Sequence, residues 1–168
     1  MLLVSLLSRC LAVKRERILL KSIQDLVRNL IDGADEQPVD RGRALRIATA
    51  ALLSEVAKAD YEEDVEESEL IFDLLKERYG LSAADAELLQ SEGYREAEES
   101  VSLQAFTRLL HEALPEEDKL ELVTMLWQVA FADQRLDRYE DHLVRKIADL
   151  LYVSHKDQIR LRNIVRES

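Results

Sequence analysis

The chain has 168 residues, with 34 Asp+Glu against 23 Lys+Arg for a formal charge of −11, and it is 47% hydrophobic and 34% charged. This is the profile of one acidic globular domain, long enough to bury a core without disulfides or a structural metal. Four Gly and two Pro exclude collagen-like, low-complexity and turn-rich β architectures, and the single cysteine, Cys10, excludes an intramolecular disulfide or multi-cysteine zinc site and points to a reducing cytoplasm.

Residues 1–31 read as a basic amphipathic helical arm. Arg9, Lys14, Arg15, Arg17, Lys21 and Arg28 outnumber Glu16 and Asp25, and Leu19, Ile23, Leu26, Val27 and Leu30 follow helical spacing. The apolar run over residues 1–7 is far short of the roughly 20 residues that a membrane span needs. Its bases follow it rather than precede it, unlike a secretory signal. The arm is expected to dock on its own domain or to stay unstructured; the alternative is peripheral contact with an anionic membrane surface, through Leu2, Leu3, Leu6 and Leu7 together with Lys14, Arg15 and Arg17. Residues 32–42, with Gly33 and Pro38, read as a linker, and residues 43–168 as one helical domain.

Within that domain Leu45, Ala48, Leu52, Val56 and Ala59 recur every three or four positions and predict a helix over 43–59. Asp64-x-x-Glu67 has the form of a capping box before a helix over 65–79 that stops at Gly80. Ser82-x-x-Asp85 starts the next helix, Ser102 the one after, Pro115 precedes a helix over 116–131, and Ser154-x-x-Asp157 precedes the last. No run alternates in the way a strand requires. The expectation is an all-α, single-domain bundle of about eight helices, built around two similar helical hairpins.

The hairpins come from an internal repeat. A shift of 73 places Val56, Ala57, Ala59, Asp60, Asp64 and Glu67 on Val129, Ala130, Ala132, Asp133, Asp137 and Glu140, so that both halves read V-A-x-A-D-x-x-x-D-x-x-E. Asp60 and Asp133 fall at helix C-termini, where the macrodipole disfavours an anion by about 0.3–1 kcal/mol. Two readings offset that cost. In the first, Asp64 and Asp137 are N-caps, Glu67 and Glu140 close the boxes, and the motif is a corner that sets the angle between two helices. In the second, the three carboxylates of each corner, Asp60, Asp64 and Glu67 or Asp133, Asp137 and Glu140, form an oxygen site for calcium, magnesium or manganese. Zinc fits poorly, because His111, His142 and His155 lack paired spacing. An EF-hand fits poorly too, because Val65 and Arg138 stand where its loop needs glycine.

The segments LRIATAALLSEVAKADYEEDVEESELI, LLKERYGLS and MLWQVAFADQRLDRYEDHLVRKIADLLYVSH, spanning about Ala44 to Arg162, resemble the two half-motifs of the tellurite-resistance protein B (TerB-like) family in order and spacing. The resemblance implies an all-helical domain of bacterial stress-associated proteins, without catalysis, serving as a metal-associated or interaction module. It carries the metal role onto the six corner carboxylates. Tyr61 and Gln134 replace the glycine usual after the first Asp of each half, and Gln128 replaces the glutamate that Glu55 keeps before Val-Ala. No His-Pro-Asp is present, so the J-domain of the family's co-chaperone relatives is absent.

Other chemistry finds little footing. GxxxxGK[ST], GxGxxG and GxSxG are missing, and Cys10 reads as an inert thiol, so no enzyme is expected. The acids of Glu92 to Glu99 read as a solvated helix face. A domain this acidic does not suit nucleic acid. Lys156, Arg160, Arg162 and Arg166 are expected to pair with the acidic 60–99 region, and Trp127, Phe131 and Tyr139 read as core or groove-lining aromatics rather than a stacking platform. The functional expectation is a cytoplasmic, non-enzymatic module in a bacterial stress assembly, binding a divalent cation or a basic protein partner through its acidic corners. The alternative is a structural protein–protein interaction domain, tethered at a membrane by its arm, with the acidic motifs acting only as caps.

Overall fold

The computed structural model describes residues 38–59, 65–99, 102–133 and 136–168, with no side-chain description for 38–40. Among the described residues there are seven helices and no strand: α1 (Pro38–Ala57), α2 (Val65–Tyr79), α3 (Ala83–Glu98), α4 (Leu103–Ala113), α5 (Glu116–Ala130), α6 (Arg138–Leu150) and α7 (His155–Glu167). The further helix expected in the arm lies outside the described residues. Residues Leu45–Ser168 form one compact unit. α1 starts at Pro38, ahead of the expected Arg43; proline's fixed φ suits a first helical turn, where its missing N–H would have no partner in any case.

Two helices are central. In α1, Ile47, Ala48, Ala50, Ala51, Leu52, Leu53 and Val56 are buried, and in α5 so are Leu122, Val123, Met125, Leu126, Trp127, Val129 and Ala130. A helix apolar nearly all round belongs in the core, while one with a single stripe covers it. The small side chains of α1 allow a close crossing. A Cβ built on Gly93 of α3 would lie 2.4 Å from the Ala50 Cβ and 2.6 Å from its carbonyl carbon. Around the core, α2 packs on α3 and α5, α4 on α6, and α7 on α5 and α6.

The internal repeat is longer than two hairpins. α2 ends with Gly80 at φ 59°, where the Leu81 N–H donates to the Lys76 carbonyl at 3.0 Å and the Gly80 N–H to Glu77 at 3.3 Å. α6 ends in the same Schellman turn with Tyr152 at φ 62°, its Val153 N–H donating to Ala148 at 3.0 Å and its Tyr152 N–H to Asp149 at 3.0 Å. Each turn leads into a serine N-cap. Ser82 Oγ accepts from the Asp85 N–H and Ser154 Oγ from the Asp157 N–H, both at 3.2 Å. The register has slipped from 73 to 72 by the start of this turn, and the buried pairs Leu89/Leu161 and Ala86/Gln158 keep the new offset. The unit duplicated is therefore three helices, α1–α2–α3 and α5–α6–α7, with α4 between the copies.

Three expectations from the sequence are corrected. Tyr139 is 60% exposed rather than core, Phe131 is half-buried, and only Trp127 is fully enclosed. Glu92 and Glu96 are not solvated; they are 7% and 2% exposed, because they share the inward face of α3 with Leu89 and Gly93 at helical spacing. Arg162 pairs with Asp141 on α6 at 3.1 Å, Arg160 with Asp157 at 3.0 Å, and Arg166 with Glu167 at 3.8 Å, since α7 lies against α5 and α6.

Candidate functional site

The second corner is built by the end of α5 and the start of α6. α5 closes with the Phe131 N–H donating to Trp127 and the Ala132 N–H to Val129, both at 3.0 Å, which brings half-buried Asp133 into the turn. Asp137 is the N-cap of α6. Its Oδ1 accepts from the Tyr139 N–H at 2.7 Å, and its own N–H donates to Glu140 Oε2 at 2.9 Å, completing a reciprocal capping box. Glu140 is 2% exposed. A buried carboxylate needs such donors, because it loses its water and must replace it. The box fixes where α6 starts relative to Asp133.

At the first corner, Asp60 and Asp64 lie outside the described residues. Glu67, the repeat counterpart of Glu140, is likewise buried at 4% exposure, on the face of α2 that also buries Ile71 and Leu75. Among the described residues, no three His, Cys, Asp or Glu side chains converge in a way that would hold a metal ion. Of the histidines, His111 lies with Nδ1 3.2 Å from the Leu151 carbonyl and its ring 4.5 Å from that of Tyr152, while His142 and His155 are exposed.

Burial perturbs two further carboxyls, on α3 and α1. Burial pushes the Glu96 carboxyl above its ordinary range; Glu99 and Glu92 add to the rise and Arg95 opposes it. Burial also raises Glu55 on α1, against the pull of Lys58. Lys58 ties α1 to α3, 3.5 Å from Glu98 and with its Nζ 3.6 Å from the centre of the Tyr94 ring.

A second polar centre escaped sequence reasoning. Asp141 accepts from Arg145 Nε at 2.8 Å and pairs with Arg162 Nε at 3.1 Å. Both guanidinium groups sit by Trp127, at 5.9 Å and 5.6 Å from its ring centre. The Asp141/Arg145 half is visible in the sequence as an i, i+4 pair. Arg162 is not, because only the packing of α7 brings it there.

No helix among the described residues is long and apolar enough to cross a membrane. A family model described as tellurite resistance protein TerB matches residues 46–163. Comparison with curated proteins and with solved structures gave no match.

Proposed function

The chain belongs to the tellurite resistance protein TerB family, and from that premise we propose that it is a non-enzymatic helical module that works by binding protein partners within a stress-linked assembly in the cytoplasm. The observation that carries this reading is the capping box: Asp137 and Glu140 are engaged with backbone N–H groups, so at this corner the acidic motif is accounted for by the architecture. The motif then holds a rigid frame, and recognition falls to the surfaces around it. The arm over residues 1–31 adds peripheral contact with an anionic membrane surface in this proposal, supported by its basic and apolar composition.

The second reading is a calcium, magnesium or manganese site at Asp60, Asp64 and Glu67 and at Asp133, Asp137 and Glu140. It is supported by the doubling of the motif and by the position of Asp133 in the turn beside the box. Calorimetric titration of chelator-stripped protein with each cation separates the two, run beside an Asp60→Asn/Asp133→Asn variant. Absence of saturable heat supports the interaction module. Saturable heat that the variant loses establishes the cation site instead.

A further inference from the structure

The duplicated three-helix unit allows one copy to be read against the other. In the second copy, Arg162 of α7 reaches Asp141 of α6 at 3.1 Å, and Arg145 closes on the same carboxylate at 2.8 Å. In the first copy the corresponding residues are Gln90, Ser68 and Phe72. The helix-to-helix contact is kept, since Gln90 Nε2 donates to the Ser68 carbonyl at 2.7 Å and to its Oγ at 3.2 Å. The two arginines are absent. What stands there is a groove of about 410 Å³ between α2 and α3, lined by Ser68, Glu69, Phe72, Asp73, Glu87 and Gln90.

The charge of the groove is also reversed. Glu69, Asp73 and Glu87 correspond to His142, Lys146 and Ile159, and Ser68 to Asp141, so three carboxylates line the first copy where the second has Asp141 alone, already paired with its two arginines. All three are exposed, and none has an ion pair among the described residues. Phe72 supplies an aromatic wall whose ring already attracts a cation, with Lys76 Nζ 5.8 Å from its centre. Unpaired carboxylates beside an aromatic face suit a planar guanidinium, which donates two parallel N–H bonds to a carboxylate while its face stacks on the ring.

We infer that the groove between α2 and α3 is a docking site for an arginine-bearing basic segment of a protein partner, whose guanidinium takes the place that Arg145 and Arg162 fill in the second copy. The inference rests on the interaction reading and names the chemistry of the partner. Glu69, Asp73 and Glu87 pair with the incoming charge, and Phe72 stacks against it.

Fluorescence anisotropy with the full chain tests this, using a labelled twelve-residue peptide of two arginines and one leucine in a Gly/Ser background. Saturable binding is expected, at least tenfold weaker for Glu69→Gln/Asp73→Asn/Glu87→Gln, and within twofold of wild type for Glu116→Gln/Glu117→Gln, which removes two exposed acids of α5. A lysine version of the peptide is expected to bind at least threefold more weakly, because lysine offers no planar fork. The groove variant changes exposed side chains only, and an unchanged circular dichroism melt confirms that it folds. Equal weakening in both variants would show mere attraction to an acidic protein and overturn the site. Absence of saturable binding, or equal affinity for the lysine peptide, would overturn it as well. None of these failures touches the corner titration, whose residues the groove variant leaves intact, so the module reading stands or falls separately.

Discussion

Gly93 and Ala50 mark the closest approach of α3 to α1: the space a Cβ on Gly93 would need is taken by the Ala50 Cβ at 2.4 Å and by the Ala51 nitrogen at 2.8 Å. A glycine inside a helix normally gives up roughly 0.5–1 kcal/mol relative to alanine. Here the crossing outweighs that. Gly93→Ala is expected to destabilise the protein by about 1–3 kcal/mol, the usual range for overpacking, because two of the clashing atoms are backbone and cannot swing aside. Urea unfolding midpoints check this; a raised midpoint would mean that the two helices part without penalty.

Gly80 poses the opposite case. Nothing lies within 4 Å of a Cβ placed there, but its φ is +59°. Gly80→Ala should cost about 1–2 kcal/mol through backbone strain alone. Tyr152 already bears that strain at φ 62°, and its ring stacks 4.5 Å from His111. Tyr152→Gly is therefore expected to shift stability by less than about 1 kcal/mol, since relief of strain and loss of the ring contact oppose each other. Thermal melts of the two variants side by side would show the asymmetry.

Glu96 should make stability fall as pH rises. Its native carboxyl titrates above the ordinary value of 4.5, chiefly because it is buried, so the folded state holds a proton that the unfolded chain has already released. The stabilisation is complete below the ordinary glutamate range and is lost as pH climbs through the raised native value. Glu55 acts in the same direction. Glu96→Gln, which keeps the shape and removes the charge, is expected to raise the melting temperature at pH 7 and to flatten the slope between pH 4.5 and neutrality. A slope identical to wild type would place its origin elsewhere.

Asp137 offers a direct measure of the capping role. Asp137→Ala should destabilise by about 1 kcal/mol, typical of a lost N-cap, while Asp137→Asn, itself a good cap, should cost much less. Under the interaction reading both differences persist unchanged when EDTA is added. A wild-type melt that drops on chelation, with the Asp137→Ala melt insensitive, would favour the cation reading. Differential scanning fluorimetry with and without chelator reads both at once.

Much of this architecture was legible from spacing alone. Ser82, Ser102, Asp137 and Ser154 start helices where their caps predict, and Val65–Tyr79 ends at Gly80 as expected, because capping and turn chemistry act over four or five residues of one chain. The offset of 73 revealed the paired corners for the same reason. The sequence by itself thus determined the order of the described helices, the pairing of the two corners and the family, while the third helix of each copy emerged only from the matching turns that precede it. Tertiary structure decided what depends on which faces meet. Burial of Glu92 and Glu96 follows from the close approach of α3 to α1 at Gly93 and Ala50, and the exposure of Tyr139 from the side of α6 that faces outward. Arg162 finds Asp141 rather than the acidic 60–99 region because α7 packs on α5 and α6. The groove beside Phe72 exists because the first copy lacks the two arginines that its twin places there. Such choices are invisible to local spacing, since each is set by residues far apart in the chain whose contact only the packed core enforces.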